Sequence, residues 1–295
     1  MTDTWNIAGH KKQLEFLSAV VASGRLAQVY IFSGPKGVGK KTVAKKLVQF
    51  LLCEKNQACN QCGQCKSLVV QSNADFIDVS SDEAIKIEQV RELIYKLSLK
   101  PYLATHKIAL IDDAERLTVE AGNALLKQLE EPKPNTHLVL ITSVPDRLLK
   151  TISSRAQKIN FGLVDRADYD SLIPQSLSLA QKDLITTLAA GRPGLINRIL
   201  KDEEYLSKLN EINSQYEKFI SKDLADKLIL GSTLAELEPA DLKEVLYFWI
   251  LKLEQALRME PGIPFANKIK NLTYSVKLLD QNVNTKLLLS NLMLA

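Results

Sequence analysis

No stretch of this 295-residue chain stays apolar for long. The longest such run, Val245–Leu251, is about a third of what a bilayer-spanning helix needs. The first residues, MTDTWNIAGHKKQ, lack the apolar segment of a secretory leader, so the expected location is the cytoplasm, with no membrane partner. Neither sign of charge dominates: 38 Lys and Arg against 34 Asp and Glu leave a net charge of +4 and a pI near 8.7. Such a mild bias permits contact with nucleic acid or an acidic partner but is not the basic stripe that would demand it. Fixed-period repeats and low-complexity segments are missing as well, which argues against solenoids and disordered tails. Cysteine is scarce, with only four residues, and disulfides are disfavoured in a chain that is not exported. What is left is an ordinary globular composition, 46% hydrophobic and 24% charged. At this length two or three domains are expected.

The most informative stretch is Gly34–Thr42, GPKGVGKKT, directly after the apolar run Val29–Phe32. A β-branched run feeding a glycine-rich turn and then an amphipathic run is the strand–loop–helix pattern of a phosphate-binding loop. Gly34, Gly37 and Gly39 free the backbone to point N–H groups at an anion. Lys40 adds a charge where the β- and γ-phosphates of ATP or ADP would sit, beside the positive end of the next helix. The position after that lysine should carry a Ser or Thr hydroxyl to hold Mg²⁺, and here it is Lys41. Thr42 is no substitute, because one residue turns about 100° around a helix. The loop predicts the fold, while Lys41 argues against full ATPase competence.

All four cysteines fall within a C-x5-C-x2-C-x2-C cluster, Cys53, Cys59, Cys62 and Cys65. Two-residue spacers bring thiolates close enough to share a tetrahedral metal, and four sulfurs leave no open position for chemistry. The expectation is a structural zinc stapling a loop-rich excursion. Idle thiols are the plainer alternative.

Helical periodicity is expected over residues 5–28 with Leu14, Leu17, Val20 and Val21 inward, and again after the loop with Val43, Leu47, Phe50 and Leu51 inward. The opposite face of that second helix, Lys45, Lys46 and Gln49, reads as solvated, with DNA contact the sharper alternative. Asp75–Val79 predicts a short strand, Ile85–Ser98 a helix, and Lys107–Ile111 a buried strand ending in Asp112 and Asp113. After a phosphate loop, such an acid-ended strand predicts that Asp112 orients a Mg²⁺ shell. The second acid is normally a Glu that polarises water, and Asp113 is one methylene shorter; a misplacement of ~1 Å can cost ~100-fold in rate. A helix over Asn123–Glu131 stopped by Pro132, a buried strand over Thr136–Ser143, and a short helical run before Ser154-Arg155 complete the region. Thr142 or Ser143 could meet a γ-phosphate or water. Strands alternating with helices predict an α/β fold with a parallel sheet and the ligand at its carboxyl ends. Beyond about residue 164 only helices are expected, among them Leu242–Leu257 and Val276–Leu294, with hinges at Phe161–Val164 and Lys201–Tyr205 and a turn at Gly191–Gly194.

The loop GPKGVGKKT, the strand IALIDDAERL, the ten residues NALLKQLEEP and the Ser154-Arg155 pair together resemble the AAA+ clamp-loader subunits of the bacterial DNA polymerase III holoenzyme. The four-cysteine insertion is similar to that of the bacterial branch. The resemblance is strong over residues 1–160 and topological beyond. It implies an AAA+ P-loop domain with a zinc-binding insertion (1–162, module at 53–65), a helical lid (163–203) and an all-α collar for oligomerisation (204–295). It also implies DNA replication as the process, within a hetero-pentameric ring with motor gamma/tau and delta subunits, acting on a sliding clamp and primed DNA.

Within that family the motor subunits keep an intact GK[ST] and DE pair, while another subunit type is degenerate at both. Lys41 and Asp113 match the degenerate type, and so does Gly194, which stands where motors carry a γ-phosphate-sensing arginine; Arg192 is the alternative alignment. The absence of a long C-terminal extension fits as well. Carried over on its motif, Arg155 with Ser154 resembles the family's arginine finger, acting in trans on a neighbour's ATP. An ordinary surface ion pair is the plainer reading of Arg155 alone. Two other functions stay open: a working ATPase motor, and a zinc-dependent nucleic-acid-binding module.

Overall fold

The computed structural model describes residues 5–81, 83–131, 133–221, 223–259, 263–279, 281 and 283–294. Two compact units emerge, one comprising the chain through Tyr169 with Gly191–Gly194, the other Asp170–Ala190 with the residues from Leu195 on.

In the first unit, β1 (Val29–Ser33), β2 (Phe76–Val79), β3 (Lys107–Ile111), β4 (Thr136–Thr142) and β5 (Gln157–Asn160) form one sheet. Every pairing is parallel and the order is β2-β3-β4-β1-β5, so β1 lies between β4 and β5. The inner strands β1, β3 and β4 are buried at every position, as continuous apolar runs require when helices cover both faces. Alternation within each run sorts side chains between two cores. Tyr30, Phe32, Ile108, Leu110, Val139 and Ile141 pack with residues of α1 (Lys11–Ser23) and α2 (Lys40–Leu52). Their neighbours Ile31, Ala109, Ile111, Leu138 and Leu140 pack with α4 (Ile87–Ser98) and α5 (Val119–Glu130). The short α3 (Gly63–Val69) starts after Cys62 and carries Cys65, α6 (Lys150–Ser153) precedes β5, and α7 (Arg166–Tyr169) ends the continuous part of the unit.

Several expected boundaries move. Helix α1 begins at Lys11 instead of residue 5, because Gly9 and His10 take positive φ angles of 70° and 56°. Ile85 precedes α4 and forms a parallel bridge to Leu117. Helix α5 starts four residues before Asn123, and Pro132, read as its stop, lies outside the described residues. The expected hinge at Phe161–Val164 is bonded into the unit: Phe161 N–H donates to Ser33 O and Val164 N–H to Gly191 O, both at 2.8 Å.

The second unit is helical: α8 (Leu179–Ala189), most of α9 (Pro193–Lys201), α10 (Glu203–Ile220), α11 (Leu224–Leu234), α12 (Pro239–Met259), α13 (Ile263–Leu278) and α14 (Thr285–Leu294). Its core includes Phe219 stacked on Trp249, ring centroids 4.5 Å apart, with Leu246, Leu253, Leu272 and Leu289 fully buried. The single helix expected over Val276–Leu294 is instead the end of α13 and all of α14. The Asn284 side chain accepts the Leu287 N–H at 3.1 Å, so the polar residue starts a new helix in preference to continuing the old one. Among the described residues no helix is long and apolar enough to cross a membrane.

Candidate functional site

The glycine loop leaves the carboxyl end of β1. Gly34, at φ 143°, lies so close to the chain after β5 that a Cβ would fall 2.0 Å from the Phe161 carbonyl oxygen. Its N–H donates to Thr142 O, tying the loop to the end of β4. Gly37 and Gly39, with φ of 80° and 103°, turn the chain into α2. On the loop's other side, His10 Nε2 donates to Val38 O at 2.7 Å, and its ring stands edge-on to Phe161. No sequence pattern marked His10.

Lys40 is buried, and its ammonium donates to Gly34 O at 2.6 Å and Pro35 O at 2.8 Å. Loss of water lowers its pKa, against the pull of Glu115, Asp112 and Asp113. An ammonium has three donors, so two loop carbonyls leave one N–H. Lys41 Nζ meets Asp112 Oδ2 at 3.0 Å. Burial works against the charge of Lys41, but its hydrogen bond to Asp112 and the fields of Asp112, Asp78 and Asp113 outweigh that and raise its pKa. Thr42 is exposed, and it lines a different cavity, about 690 Å³, between α2, β2 and the cysteine segment.

Asp113 adopts φ 47°, and its carboxylate lies 3.5 Å from Lys36 and 3.4 Å from Arg116 Nε. Lys41, Asp112, Asp113, Ser80 and Ser81 together line a cavity of about 230 Å³. Thr142 is fully buried, its hydroxyl oxygen accepting the Val144 N–H at 3.0 Å. The Ser143 hydroxyl and N–H both donate to Glu115, at 2.5 and 3.2 Å. Burial opposes the charge of Glu115, but those bonds, with one from Thr142, lower its pKa, while its second oxygen is buried without a hydrogen-bond partner. Glu115 is thus a third acid facing Lys40. Pattern reading stopped at Asp113 and missed it.

Two further features border this region. The Gly194 N–H donates to Gly37 O at 2.8 Å, and a Cβ at Gly194 would meet that oxygen at 2.8 Å. Arg155, after α6, donates through Nη1 to Thr151 O and through Nη2 to Glu130, and the Ser154 hydroxyl also donates to Thr151 O. Its side chain is 40% exposed.

The cysteines converge as their spacing implies: all four sulfurs lie within 4.8 Å of one another and none is in a disulfide. Asn56, Ala58 and Asn60 take positive φ in the intervening turns. The Cys62 N–H donates to Cys59 Sγ, and the Cys65 N–H to Cys62 Sγ, each at 3.4 Å. Burial disfavours a Cys53 thiolate, yet hydrogen bonds involving Cys59, Gln57 and Lys55 bring its pKa down to about 6. This donor set fits a tetrahedral metal site, which the four residues could close completely.

A parallel sheet with a glycine loop after β1 and two acids after β3, carrying a four-cysteine cluster and followed by helices, defines an AAA+-type P-loop protein. The family model for the DNA polymerase III, delta subunit matches residues 9–165, over half of the chain. The chain belongs to that family, among the clamp-loader subunits of the delta-prime, gamma and tau group. It is 39% identical over 135 residues to DNA polymerase III subunit delta' of Pseudomonas aeruginosa, covering 44% of this chain and 41% of that protein. Against subunit delta' of Bacillus subtilis it is 32% identical over 209 residues (69% and 63%). Against subunit tau of the same organism it is 28% identical over 275 residues (83% and 48%). The chain therefore spans less than two thirds of each of these relatives.

Proposed function

We propose that this chain is a delta-prime-type subunit of the DNA polymerase III clamp loader. It does not hydrolyse ATP itself, and it presents Arg155 in trans to ATP on a neighbouring motor subunit. The observation that carries this reading is the Lys41–Asp112 ion pair. In P-loop NTPases the hydroxyl after the loop lysine and the acid at the strand end hold Mg²⁺ between them; here an ammonium stands between those two positions. Asp113 supports the reading, since Lys36 and Arg116 both pair with its carboxylate. Gly194 supports it too, as a larger side chain there meets the loop backbone.

The partially exposed guanidinium of Arg155 supports its role as a finger, since a planar fork of permanent charge suits phosphate oxygens. In this reading residues 163–203 form a lid, 204–295 a collar joining gamma/tau and delta subunits in a hetero-pentameric ring, and the cysteines hold a structural zinc. The ring opens a sliding clamp and places it on primed DNA. The match to a tau subunit over most of the chain favours the motor as a second reading.

Reconstitution with motor and delta subunits, clamp and primed DNA tests the proposal. Arg155→Ala is expected to cut ATP turnover at the facing site by roughly 10³-fold or more, the scale of such fingers elsewhere. Unchanged turnover removes the finger. Turnover by the isolated chain, abolished by Lys40→Ala, selects the motor.

A further inference from the structure

The group that this fold implies beside a nucleotide's phosphates is Mg²⁺, and the residues present do not fit it. A P-loop Mg²⁺ takes one ligand from the residue after the loop lysine and orientation from the acid ending the third strand. Lys41 offers no lone pair, and its ammonium is 3.0 Å from Asp112 Oδ2. The hydroxyl that could stand in, Thr42, lines the cavity of about 690 Å³, to which neither Asp112 nor Asp113 contributes. The other acid at the strand end, Asp113, is committed to Lys36 and Arg116. One turn along the same helix Lys45 meets Asp78 of β2 at 3.2 Å. Helix α2 thus lays two ammonium groups along the strand-end carboxylates. Mg²⁺ demands near-octahedral oxygen coordination, and a dication at Asp112 would have to displace or abut a fixed positive charge.

We infer that Lys41 is a tethered cation in the position of the divalent ion, so that this chain's own loop takes the diphosphate of a nucleotide free of metal. The inference rests on reading the chain as a clamp-loader subunit whose site is not a motor. It assigns that site a ligand class in place of silence. The parts for an anion remain. Gly37 and Gly39 keep the positive φ angles of an anion-cradling turn, the Lys40 ammonium keeps one N–H beyond its two carbonyl bonds, and Lys41 reaches the cavity that Asp112 and Asp113 share with Ser80 and Ser81. A lysine is a compact charge with three donors, so Lys41 can meet a phosphate oxygen entering that cavity while it keeps its contact with Asp112. Such a site holds nucleotide but lacks a doubly charged centre to stabilise hydrolysis.

The test is ADP binding to the isolated 295-residue chain by calorimetry, with Mg²⁺ either saturating or omitted. Omission is used in place of a chelator so that the cysteine module keeps its metal. The wild type is expected to give the same Kd in both conditions, within about twofold, and Lys40→Ala to weaken both alike. Lys41→Thr, which supplies the missing hydroxyl and frees Asp112, is expected to bind ADP about tenfold or more tightly with Mg²⁺ than without it. Lys41→Arg keeps the charge and is expected to stay indifferent to Mg²⁺, which guards against a misfolded threonine variant. A wild type that binds no ADP in either condition, or that Mg²⁺ tightens about tenfold or more, overturns the inference. The readout involves no ring and no turnover, so its failure leaves the Arg155 assignment standing, and loss of that assignment leaves this one.

Discussion

Arg155 and Glu130 are bound to each other at 3.0 Å, the guanidinium after α6 reaching the last residue of α5. Glu130 belongs to the NALLKQLEEP segment and Arg155 to the Ser-Arg pair, so the two stretches on which the family resemblance leans are in direct contact. The pair is solvent-exposed, at 53% and 40%. Exposed ion pairs contribute about 0–1 kcal/mol, too little to hold a guanidinium against a triphosphate.

Glu130→Gln is therefore expected to shift unfolding free energy by less than about 1 kcal/mol and to leave turnover of the reconstituted ring within about twofold. Arg155→Lys keeps a charge but loses the planar fork, and should lose most of the turnover that Arg155→Ala loses. Steady-state ATPase assays beside denaturant melts measure both. A collapse of turnover in Glu130→Gln would show that the carboxylate positions the finger instead of merely parking it.

The cysteine cluster predicts one bound zinc per chain by elemental analysis. Cys62→Ser is expected to lose it, and removal of the metal should raise amide exchange across residues 53–69 while leaving β1, β3 and β4 protected. That pattern follows from where the cluster sits. The turns carrying it include three non-glycine residues at positive φ and depend on what links the four sulfurs, whereas the inner strands are buried on both faces. Retained metal in the serine variant would count against a four-sulfur site.

How far the sequence carried this reading depended on the kind of physics involved. The inner strands, α2 and the cysteine cluster were legible because each is a local pattern of apolar period or ligand spacing. Strand β5 was not, since Gln157, Lys158 and Asn160 are exposed and only Ile159 is buried; an edge strand of that composition has no hydrophobic signature. Gly9 and His10 delayed α1 through backbone angles that periodicity does not encode. The break between α13 and α14 turned on one capping asparagine. Within the candidate site, Lys41 and Asp113 stood out as departures from a motif. The ammonium on Asp112, the Ser143 bonds to Glu115 and the approach of Gly194 to Gly37 are long-range contacts, visible only once the chain is folded.

That last approach makes Gly194 a steric position. Its φ is not in the left-handed region, so an alanine is allowed by the backbone, but its Cβ would stand 2.8 Å from Gly37 O. Gly194→Ala should therefore destabilise the chain by about 1–3 kcal/mol, the scale of overpacking, and Gly194→Arg by at least as much. Gly24→Ala, a surface control with open space around it but φ of 67°, should act through backbone strain alone. If Gly194→Arg were as stable as wild type, the loop backbone would have to be movable at Gly37.

The acid limb of stability should be set in part by Asp75, just before β2. Its carboxylate is buried and accepts the N–H groups of Tyr102, Leu103 and Ala104 at 2.6, 2.9 and 3.0 Å, with Lys107 at 3.8 Å. Burial pushes its pKa up, but the three amides and Lys107 outweigh that, and the net shift is downward. A carboxylate with a depressed folded pKa contributes stability above its unfolded value near 3.9 and loses it as pH falls through the folded value. Asp75→Asn keeps the shape but not the charge. It should be less stable than wild type at neutral pH, by about 1–3 kcal/mol for charge-assisted hydrogen bonds, and the gap should close as pH drops below about 4. Urea titrations of both proteins across that range measure it. A gap of constant size down to pH 2 would mean that the amides are held by shape and not by charge, and that another carboxylate governs the acid limb.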